Sequence, residues 1–193
     1  MGKRKCAAED EKKGDLFAAP PNTLLVHACN TKGLWGAGIA ASFRSRYRTA
    51  FKANKHHCAT RPQSKLPGTS LLTPPDKTKV TIDDEQLRGR PPTDSLVKAT
   101  HFIGNLYTSR GVGRKKDTKD VILQYTGPAM RDLLERVADW NAGDPQRKIE
   151  RIWLCKINSG LFGVKWEETR EVLRSVEVPD GDVPAEVLVL AKD

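Results

Sequence analysis

Two glycine-rich segments hold the residues best suited to binding a charged ligand. The first reads NTKGLWGAG at residues 30–38, and the second reads NSGLFGV at residues 158–164. Glycine adopts positive φ and lets the backbone come close to a ligand. A loop that enters a helix also presents free N–H groups to an anion at the positive end of the helix dipole. Side by side, two such loops could hold a diphosphate.

A simpler interpretation is that each segment is only a tight turn between a strand and a helix. One loop alone would favour that interpretation, whereas two equivalent loops in a basic chain favour phosphate binding. The first segment is neither a Walker A motif nor a GxGxxG fingerprint, because it lacks GK[ST] and its glycines are spaced differently. A third, basic segment, RGVGRKK at residues 110–116, could close over one edge of the site.

Apolar runs that are typical of buried strands precede, separate and follow the two glycine-rich segments. Such runs occupy residues 23–29, 149–155 and 185–191, and GTSLLTPP and THFIGNLYTS predict two more strands. Because strands and helical patterns alternate, the sequence predicts an α/β sandwich with a largely parallel central sheet. Ligands of such sheets bind beyond the carboxyl ends of the strands.

Helical periodicity begins directly after the first glycine-rich segment. An apolar residue recurs at every fourth position from Ile39 to Phe51, which predicts one amphipathic helix. A second helical pattern surrounds Pro128, which either kinks one helix or begins a new one. The sequence WEETREVLRSV at residues 166–176 predicts a further helix after the second segment.

Length and composition fit one domain with a basic surface. The chain has 193 residues, a formal net charge of +9 and 30% charged residues. We expect a flexible charged N-terminus at residues 1–13, a single domain over residues 14–193 and an exposed polar insertion at about 76–98. The charge fits either a solvated surface or a phosphate-bearing partner. We do not expect a nucleic-acid partner, because zinc-finger spacing and basic heptads are missing and aromatic residues are only 6%.

Cysteine usage and the N-terminal sequence indicate a reduced intracellular protein. The cysteines form no CxxC pair, and MGKRKCAAEDEKKGD lacks the apolar centre of a signal peptide. No apolar run reaches the roughly 18 residues that span a membrane. We therefore expect a cytoplasmic or nuclear location, or both, with no membrane contact. KHHC at residues 55–58 lacks a second ligand pair, so we predict no metal and no other cofactor.

The sequence LLVHACNTKGLWGAGIA resembles the signature of macro domains, which bind ADP-ribose. It is most similar to the yeast-type branch, the ADP-ribose 1″-phosphate phosphatases, where His-small-Cys-Asn precedes a Trp-Gly-small-Gly-Ile-Ala loop. INSGLFGVKWEET at residues 157–169 resembles the second binding loop of that branch, and GDL at residues 14–16 resembles its early Gly-Asp element. The resemblance covers residues 14–75 and 100–191. It implies a three-layer α/β/α macro-domain sandwich with a mixed, largely parallel central sheet.

The resemblance also implies a role for individual residues. Asp15 would accept a hydrogen bond from the adenine amino group, with Leu16 beside the base. The distal ribose would be lined by Ala28, Cys29 and Asn30. The contacts around the diphosphate and the distal ribose would come from Trp35, Gly36, Ala37, Gly38, Ile39 and Ala40 in the first loop and from Asn158, Ser159, Gly160, Leu161, Phe162, Gly163 and Val164 in the second.

The sequence departs from the macro-domain pattern at several positions. Many macro domains have a His where this chain has Trp35, and the middle glycine of the triplet is Ala37 here. A related branch that removes ADP-ribose from acidic side chains uses a Lys and an Asp, and the matching positions here are Ser109 and Phe162. That chemistry is therefore not expected. The family also has a strand before its Gly-Asp element, whereas CAAEDEKK is a poor strand.

Asn30 and His27 are the candidate catalytic residues. Asn30 could hydrogen-bond the distal ribose or orient a water, and the alternative is an Asn that stabilises a turn. His27 could act as a general acid or base, and the alternative is a core histidine, since strand alternation points it away from Asn30. We expect Cys29 to be a small buried thiol. Trp35 and Phe162 fit either walls of the ribose site or local packing.

These residues lead to one predicted reaction and two alternatives. The resemblance implies a hydrolase that removes the 1″-phosphate from ADP-ribose 1″-phosphate, giving ADP-ribose and phosphate. The first alternative is a module that binds ADP-ribose or mono-ADP-ribosylated proteins without turnover. The second is a hydrolase of ADP-ribosylated proteins. We expect a small-molecule ADP-ribose derivative as the partner, mono-ADP-ribosylated proteins as a further one, and a monomer.

Overall fold

A seven-stranded sheet forms the centre of the computed structural model, which describes residues 4–8, 11–75 and 101–191. The strands are β1 Ala7–Ala8, β2 Lys12–Lys13, β3 Thr23–Asn30, β4 Ser70–Thr73, β5 Phe102–Ser109, β6 Arg151–Cys155 and β7 Glu186–Ala191. Their order is β1-β7-β6-β3-β5-β4, and β2 also pairs with β7. Only β4 runs antiparallel to its neighbour, β5. The predicted largely parallel sheet is confirmed. The insertion predicted at about 76–98 lies outside the described residues.

Helices cover both faces of this sheet. They are α1 Gly38–Arg46, α2 Arg48–Thr60, α3 Lys119–Gly143 and α4 Trp166–Ser175, with short 3₁₀ turns at Leu16–Ala18, Gln63–Lys65 and Gly113–Lys115. Pro128 lies inside the single helix α3, so it does not begin a new one. None of the described helices is long and apolar enough to cross a membrane.

The helix predicted after the first glycine-rich segment is interrupted at one residue. Tyr47 has φ −125° and ψ 67°, which separates α1 from α2. Its ring is buried and its hydroxyl lies 2.8 Å from Nδ1 of His101, beside β5. Burial of that ring at the helix junction accounts for the break, because an apolar repeat of four residues drifts around a helix with 3.6 residues per turn.

Two apolar clusters fill the space between the layers, one on each face of the sheet. Alternate residues of β3 contribute to opposite clusters, as the pleat of a strand requires. Leu24 and Val26 join the cluster that contains Leu133 of α3. Leu25 joins the cluster that contains Phe43 of α1. The strand is therefore buried on both faces, and the three-layer α/β/α arrangement is the predicted one.

The N-terminal segment differs from its prediction. We expected residues 1–13 to be flexible, but the described part carries β1 and β2, both of which pair in parallel with β7. The backbone N–H of Cys6 donates to the carbonyl of Val176 at 2.8 Å, and the Cys6 side chain is only 3% exposed. β7 supplies the unpaired N–H and C=O groups of a sheet edge, which outweigh the weak strand propensity of CAAEDEKK.

Candidate functional site

Three loops lie together at the carboxyl edge of the sheet. Loop A (residues 30–38) follows β3, loop B (residues 158–164) follows β6, and loop C (residues 110–116) follows β5. The order β6-β3-β5 makes these strands neighbours, and all three are parallel. Parallel neighbours end at the same edge, which is where ligands of open α/β sheets bind. The two predicted glycine-rich segments are therefore adjacent in the fold.

Leu161, at the tip of loop B, is where the three loops meet. A Cβ on Gly38 of loop A would lie 3.5 Å from Leu161 Cδ1. Lys116 of loop C donates a hydrogen bond from Nζ to the Leu161 carbonyl at 3.0 Å. The Leu161 side chain is 65% exposed, so this junction lies at the surface. This contact joins loop C to loop B, and the closure of loop C over one edge of the site stays a prediction.

Asn30 shapes loop A from within. Its Oδ1 accepts hydrogen bonds from the backbone N–H groups of Lys32 at 3.0 Å and Leu34 at 3.2 Å. Its Nδ2 donates to the carbonyl of Leu34 at 2.7 Å. The Asn30 side chain is 5% exposed, and a single N–H donor remains for another partner. This geometry is that of the turn-stabilising alternative, so Asn30 acts first on the loop backbone.

Asn158 holds loop B through side-chain hydrogen bonds to residues outside the loop. Its Oδ1 accepts from Thr108 Oγ1 at 2.8 Å, and its Nδ2 donates to Thr126 Oγ1 at 2.9 Å. Asn158 has φ +64°, a left-handed conformation that Asn tolerates better than most residues. The two threonines belong to β5 and α3, and no sequence motif pointed to them. Loop B is therefore fixed to the sheet through one buried amide.

Exposure divides the predicted site residues into three groups. Apart from Asp15, the exposed ones are glycines and small or apolar residues whose backbone can face a ligand: Gly36, Ala37, Gly38, Ile39, Gly160, Leu161 and Gly163. Ala28, Ala40, Ser159 and Phe162 are half-buried, and Leu16, Cys29, Asn30, Trp35, Asn158 and Val164 are buried. The arrangement provides backbone amides rather than charged side chains, which suits phosphate groups.

The two helix N-termini beside the loops are not equivalent. α1 begins after Ala37 without a side-chain cap and without an acidic residue in its first turn. α4 carries Glu167 and Glu168 in its first turn, and Glu168 pairs with Lys119 at 2.8 Å. Negative side chains compete with an anion for the positive end of the dipole. The two loops occupy equivalent positions in the fold, but the α1 terminus is the more favourable place for an anion.

His27 is enclosed by the core. Its ring has no exposed surface, stacks on Phe43 with centroids 4.1 Å apart and meets the edge of Trp35 at 4.7 Å. Nε2 donates to Asn105 Oδ1 at 2.9 Å. Burial lowers the pKa of His27 to about 3, against a smaller opposing effect of the Asn105 hydrogen bond, so the ring is neutral at physiological pH. This placement favours the core role over the predicted catalytic one.

Trp35 and Cys29 also face the interior. Trp35 is 1% exposed and packs against His27 and Phe51. Of the two alternatives for Trp35, this geometry favours local packing over a wall of the ribose site. Cys29 is 2% exposed, and burial raises the pKa of its thiol well above the usual value. It is the buried thiol that we expected, which leaves its backbone as the part able to meet a ribose.

Asp15 lies at the other end of the same edge. The N–H of Gly14 donates to the carbonyl of Ala191 at the end of β7, which places Gly14 and Asp15 at the carboxyl end of β7, the strand beside β6. Asp15 is exposed, and its Oδ1 accepts from the N–H of Phe17 at 3.0 Å. The second carboxylate oxygen remains able to accept from a ligand.

Across the described residues, no group of three or more His, Cys, Asp or Glu side chains could hold a metal ion.

The fold is that of the macrodomains. The macrodomain of Mycobacterium tuberculosis DarG matches with a TM-score of 0.63 and 19% identity, covering 100% of both chains. Thermosipho africanus DarTG, solved in complex with ADP-ribose, matches with a TM-score of 0.58 and 13% identity, over 92% of this chain and 40% of that one. No protein-family model matches the sequence.

Curated relatives then give the family. An ADP-ribose 1″-phosphate phosphatase of Chaetomium globosum is 42% identical over 174 residues, which cover 90% of this chain and 86% of the relative. One of Neosartorya fischeri is 36% identical over 188 residues, covering 84% of this chain and 87% of the relative. The chain belongs to the ADP-ribose 1″-phosphate phosphatase family of macrodomain proteins.

Proposed function

We propose that this protein hydrolyses ADP-ribose 1″-phosphate to ADP-ribose and inorganic phosphate at the junction of loops A and B. The observation that carries the proposal is the meeting of the two glycine-rich loops at Gly38 and Leu161, in a chain 42% identical to a phosphatase of that name. Asp15 lies at one end of the same sheet edge. An elongated ligand with a base at one end and phosphates at the other fits that layout.

The reaction needs charge stabilisation more than covalent chemistry. A water oxygen attacks the phosphorus, the bond from phosphorus to the C1″ oxygen breaks, and that oxygen leaves with the electron pair and takes a proton. Free backbone N–H groups at Gly38 and the first turn of α1 stabilise the phosphate oxygens as their charge changes. Lys116 adds a positive charge beside loop B.

Among the described residues, loops A and B themselves supply no carboxylate or histidine as a general base. Residues 30–38 and 158–164 contain no Asp, Glu or His, and His27 is enclosed and neutral. A positioned acid or base usually contributes about 10²–10⁴-fold to a rate. We therefore expect slow turnover, with water as nucleophile and most of the acceleration supplied by the loop amides.

The same observation favours one second candidate, a module that binds ADP-ribose or mono-ADP-ribosylated proteins without turnover. A binding module needs the amides and Asp15 but no base. The two candidates share a site and differ only in chemistry, so one sample can separate them. In either case we expect a monomer, because nothing in the layout of the loops requires a second chain.

The test is phosphate release from ADP-ribose 1″-phosphate, with ADP-ribose affinity measured by calorimetry on the same sample. Gly38→Ala places a Cβ at the loop junction at φ +58°, and Gly113→Ala imposes a similar strain at φ +57° where nothing lies within 4 Å. We expect Gly38→Ala to lose about ten-fold in both quantities and Gly113→Ala to resemble wild type. Binding without release would favour the binding module. Neither activity, or equal losses in both variants, would contradict the site.

A further inference from the structure

A basic groove lies between α1 and α2, outside the three loops. It has a volume of about 860 Å³ and is lined by Ala41, Arg44, Ser45, Arg48, Phe51, Lys52, Lys55, His56 and Ala59. No residue of loops A, B or C lines it. The proposed reaction therefore does not use this groove, although it begins within one helical turn of Gly38.

Among the described residues, no acidic side chain pairs with the cations of the groove. Residues 38–60, which contain both helices, include five Lys or Arg residues and no Asp or Glu. Across the described residues, no ion pair involves Arg44, Arg48, Lys52 or Lys55. Basic side chains elsewhere on the surface do pair, such as Lys148 with Asp182. A concave surface with one sign of charge concentrates counter-ions of the other sign.

The length of the groove points to a polymer rather than a single phosphate. Arg48, Lys52, Lys55 and Ala59 share one face of α2, following the i, i+4, i+7 pattern of a helix. At 1.5 Å per residue, that face extends over about 16 Å. A single phosphate contacts only one or two of these cations, whereas a phosphate chain can meet each in turn.

Arg44 supplies a second kind of contact. Its Cζ lies 4.9 Å from the centroid of the Phe51 ring, so the guanidinium is held above an aromatic surface. Nucleobases stack on arginine planes and aromatic rings, whereas an acidic peptide gains nothing from such a surface. Cations spaced along a groove with a stacking position inside it form the pattern used for single strands.

We propose that this groove binds single-stranded nucleic acid, with Arg48, Lys52 and Lys55 on the phosphates and Arg44 stacked on a base. The sequence did not favour such a partner, because aromatic residues are few. The fold changes that expectation by placing one of them, Phe51, under an arginine inside the basic groove.

The experiment measures fluorescence anisotropy of a labelled uridine 12-mer with the full chain. The variant Arg48→Gln/Lys52→Gln/Lys55→Gln is compared with Arg131→Gln/Lys148→Gln/Arg151→Gln, which removes the same charge away from the groove. We expect more than ten-fold weaker binding for the first and a small change for the second. The slope of log affinity against log salt is expected to fall by about 2, since single strands contribute about 0.7 per phosphate contact.

A conservative variant tests the stacking contact. Arg44→Lys keeps the positive charge and removes the planar guanidinium group. We therefore expect the affinity for the 12-mer to fall about five-fold or more, with an unchanged slope of log affinity against log salt. ADP-ribose affinity and circular dichroism report that the variants remain folded. Equal weakening by the two triple variants overturns the proposal. The proposal is also overturned if an unlabelled glutamate 12-mer displaces the labelled 12-mer as well as an unlabelled uridine 12-mer does. It is overturned as well if a duplex of the same length competes as well as, or better than, the single strand.

Discussion

Asn30 and Leu34 are joined by a reciprocal pair of hydrogen bonds across loop A. The Asn30 amide donates to the Leu34 carbonyl at 2.7 Å, and the Leu34 N–H donates back to the Asn30 carbonyl oxygen at 3.2 Å. This pair holds the turn that leads to the exposed glycines of the site. Asn30 therefore fixes the backbone of loop A, which is the loop that we propose to bind phosphate.

Replacing Asn30 is expected to affect binding and turnover together. Asn30→Ala removes three hydrogen bonds inside loop A, so we predict a ten-fold or greater loss of ADP-ribose affinity and a parallel loss of phosphate release. Asn30→Ser can still accept from a backbone N–H two residues on and should lose less. Steady-state kinetics with calorimetry are the measurement. A fall in kcat with unchanged affinity would instead show that Asn30 orients the attacking water.

Lys116 is expected to tune the affinity for the more highly charged ligand. Its ammonium donates to the Leu161 carbonyl at 3.0 Å and keeps two further donors beside loop B. Lys116→Met removes the charge and keeps the aliphatic stem. We predict that this substitution weakens the binding of ADP-ribose 1″-phosphate more than the binding of ADP-ribose. The difference between the two losses should decrease at high salt. Lys115→Met, next to it in loop C, is the matched control, and an equal effect of both would contradict the specific role.

The buried His27 is expected to destabilise the protein in acid. Its pKa is lowered to about 3 by burial, against about 6.5 in an unfolded chain. Between those values the unfolded chain binds a proton that the folded state does not, so stability falls as pH falls from 6.5 towards 3. The slope contributed is up to about 1.4 kcal/mol per pH unit. His27→Gln should make urea unfolding less dependent on pH between 4 and 6.

The same variant separates the core role of His27 from a catalytic one. If His27 has only the core role, phosphate release by the wild-type protein and by His27→Gln should depend on pH in the same way between pH 5 and 8. His57→Gln is the control, because His57 belongs to α2, is half-buried and stacks on Tyr107. An inflection near neutral pH that disappears only in His27→Gln would restore His27 as the general base.

Residues 4–8 are expected to stabilise the sheet. Cys6 is buried, its N–H pairs with Val176, and β1 adds to β7. A chain beginning at residue 9 should unfold about 5 °C or more below the full chain, at about 2–4 °C per kcal/mol for a protein of this size. A chain beginning at residue 4 is the control. Equal melting temperatures for all three would show that the N-terminal segment contributes nothing.

Much of the site was predictable because its signals are local. A buried strand followed by a glycine-rich segment and a helical repeat predicts a strand, loop and helix wherever the chain goes next, and β3, loop A and α1 follow that prediction. The same holds for β6, loop B and α4. Parallel strands then place the loops at one edge, which is a property of the fold class rather than of distant contacts.

The orientation of individual side chains was not predictable in this way. His27, Trp35 and Asn30 lie within nine residues, and local sequence allows each to face a ligand. Phe43 and Phe51, brought over β3 by α1 and α2, enclose the first two, so that neither side chain reaches the surface. The N-terminal strands likewise depend on β7, more than 170 residues away, whose edge groups need partners.

The sequence by itself therefore determined the alternation of elements, the two glycine-rich loops and the absence of Asp, Glu and His within them. Periodicity and residue type act over a few neighbours, and these features need nothing more. Only the tertiary structure decided which loops touch and which side chains point inward. Those outcomes depend on contacts between residues far apart in the chain, as with Lys116 of loop C and Leu161 of loop B.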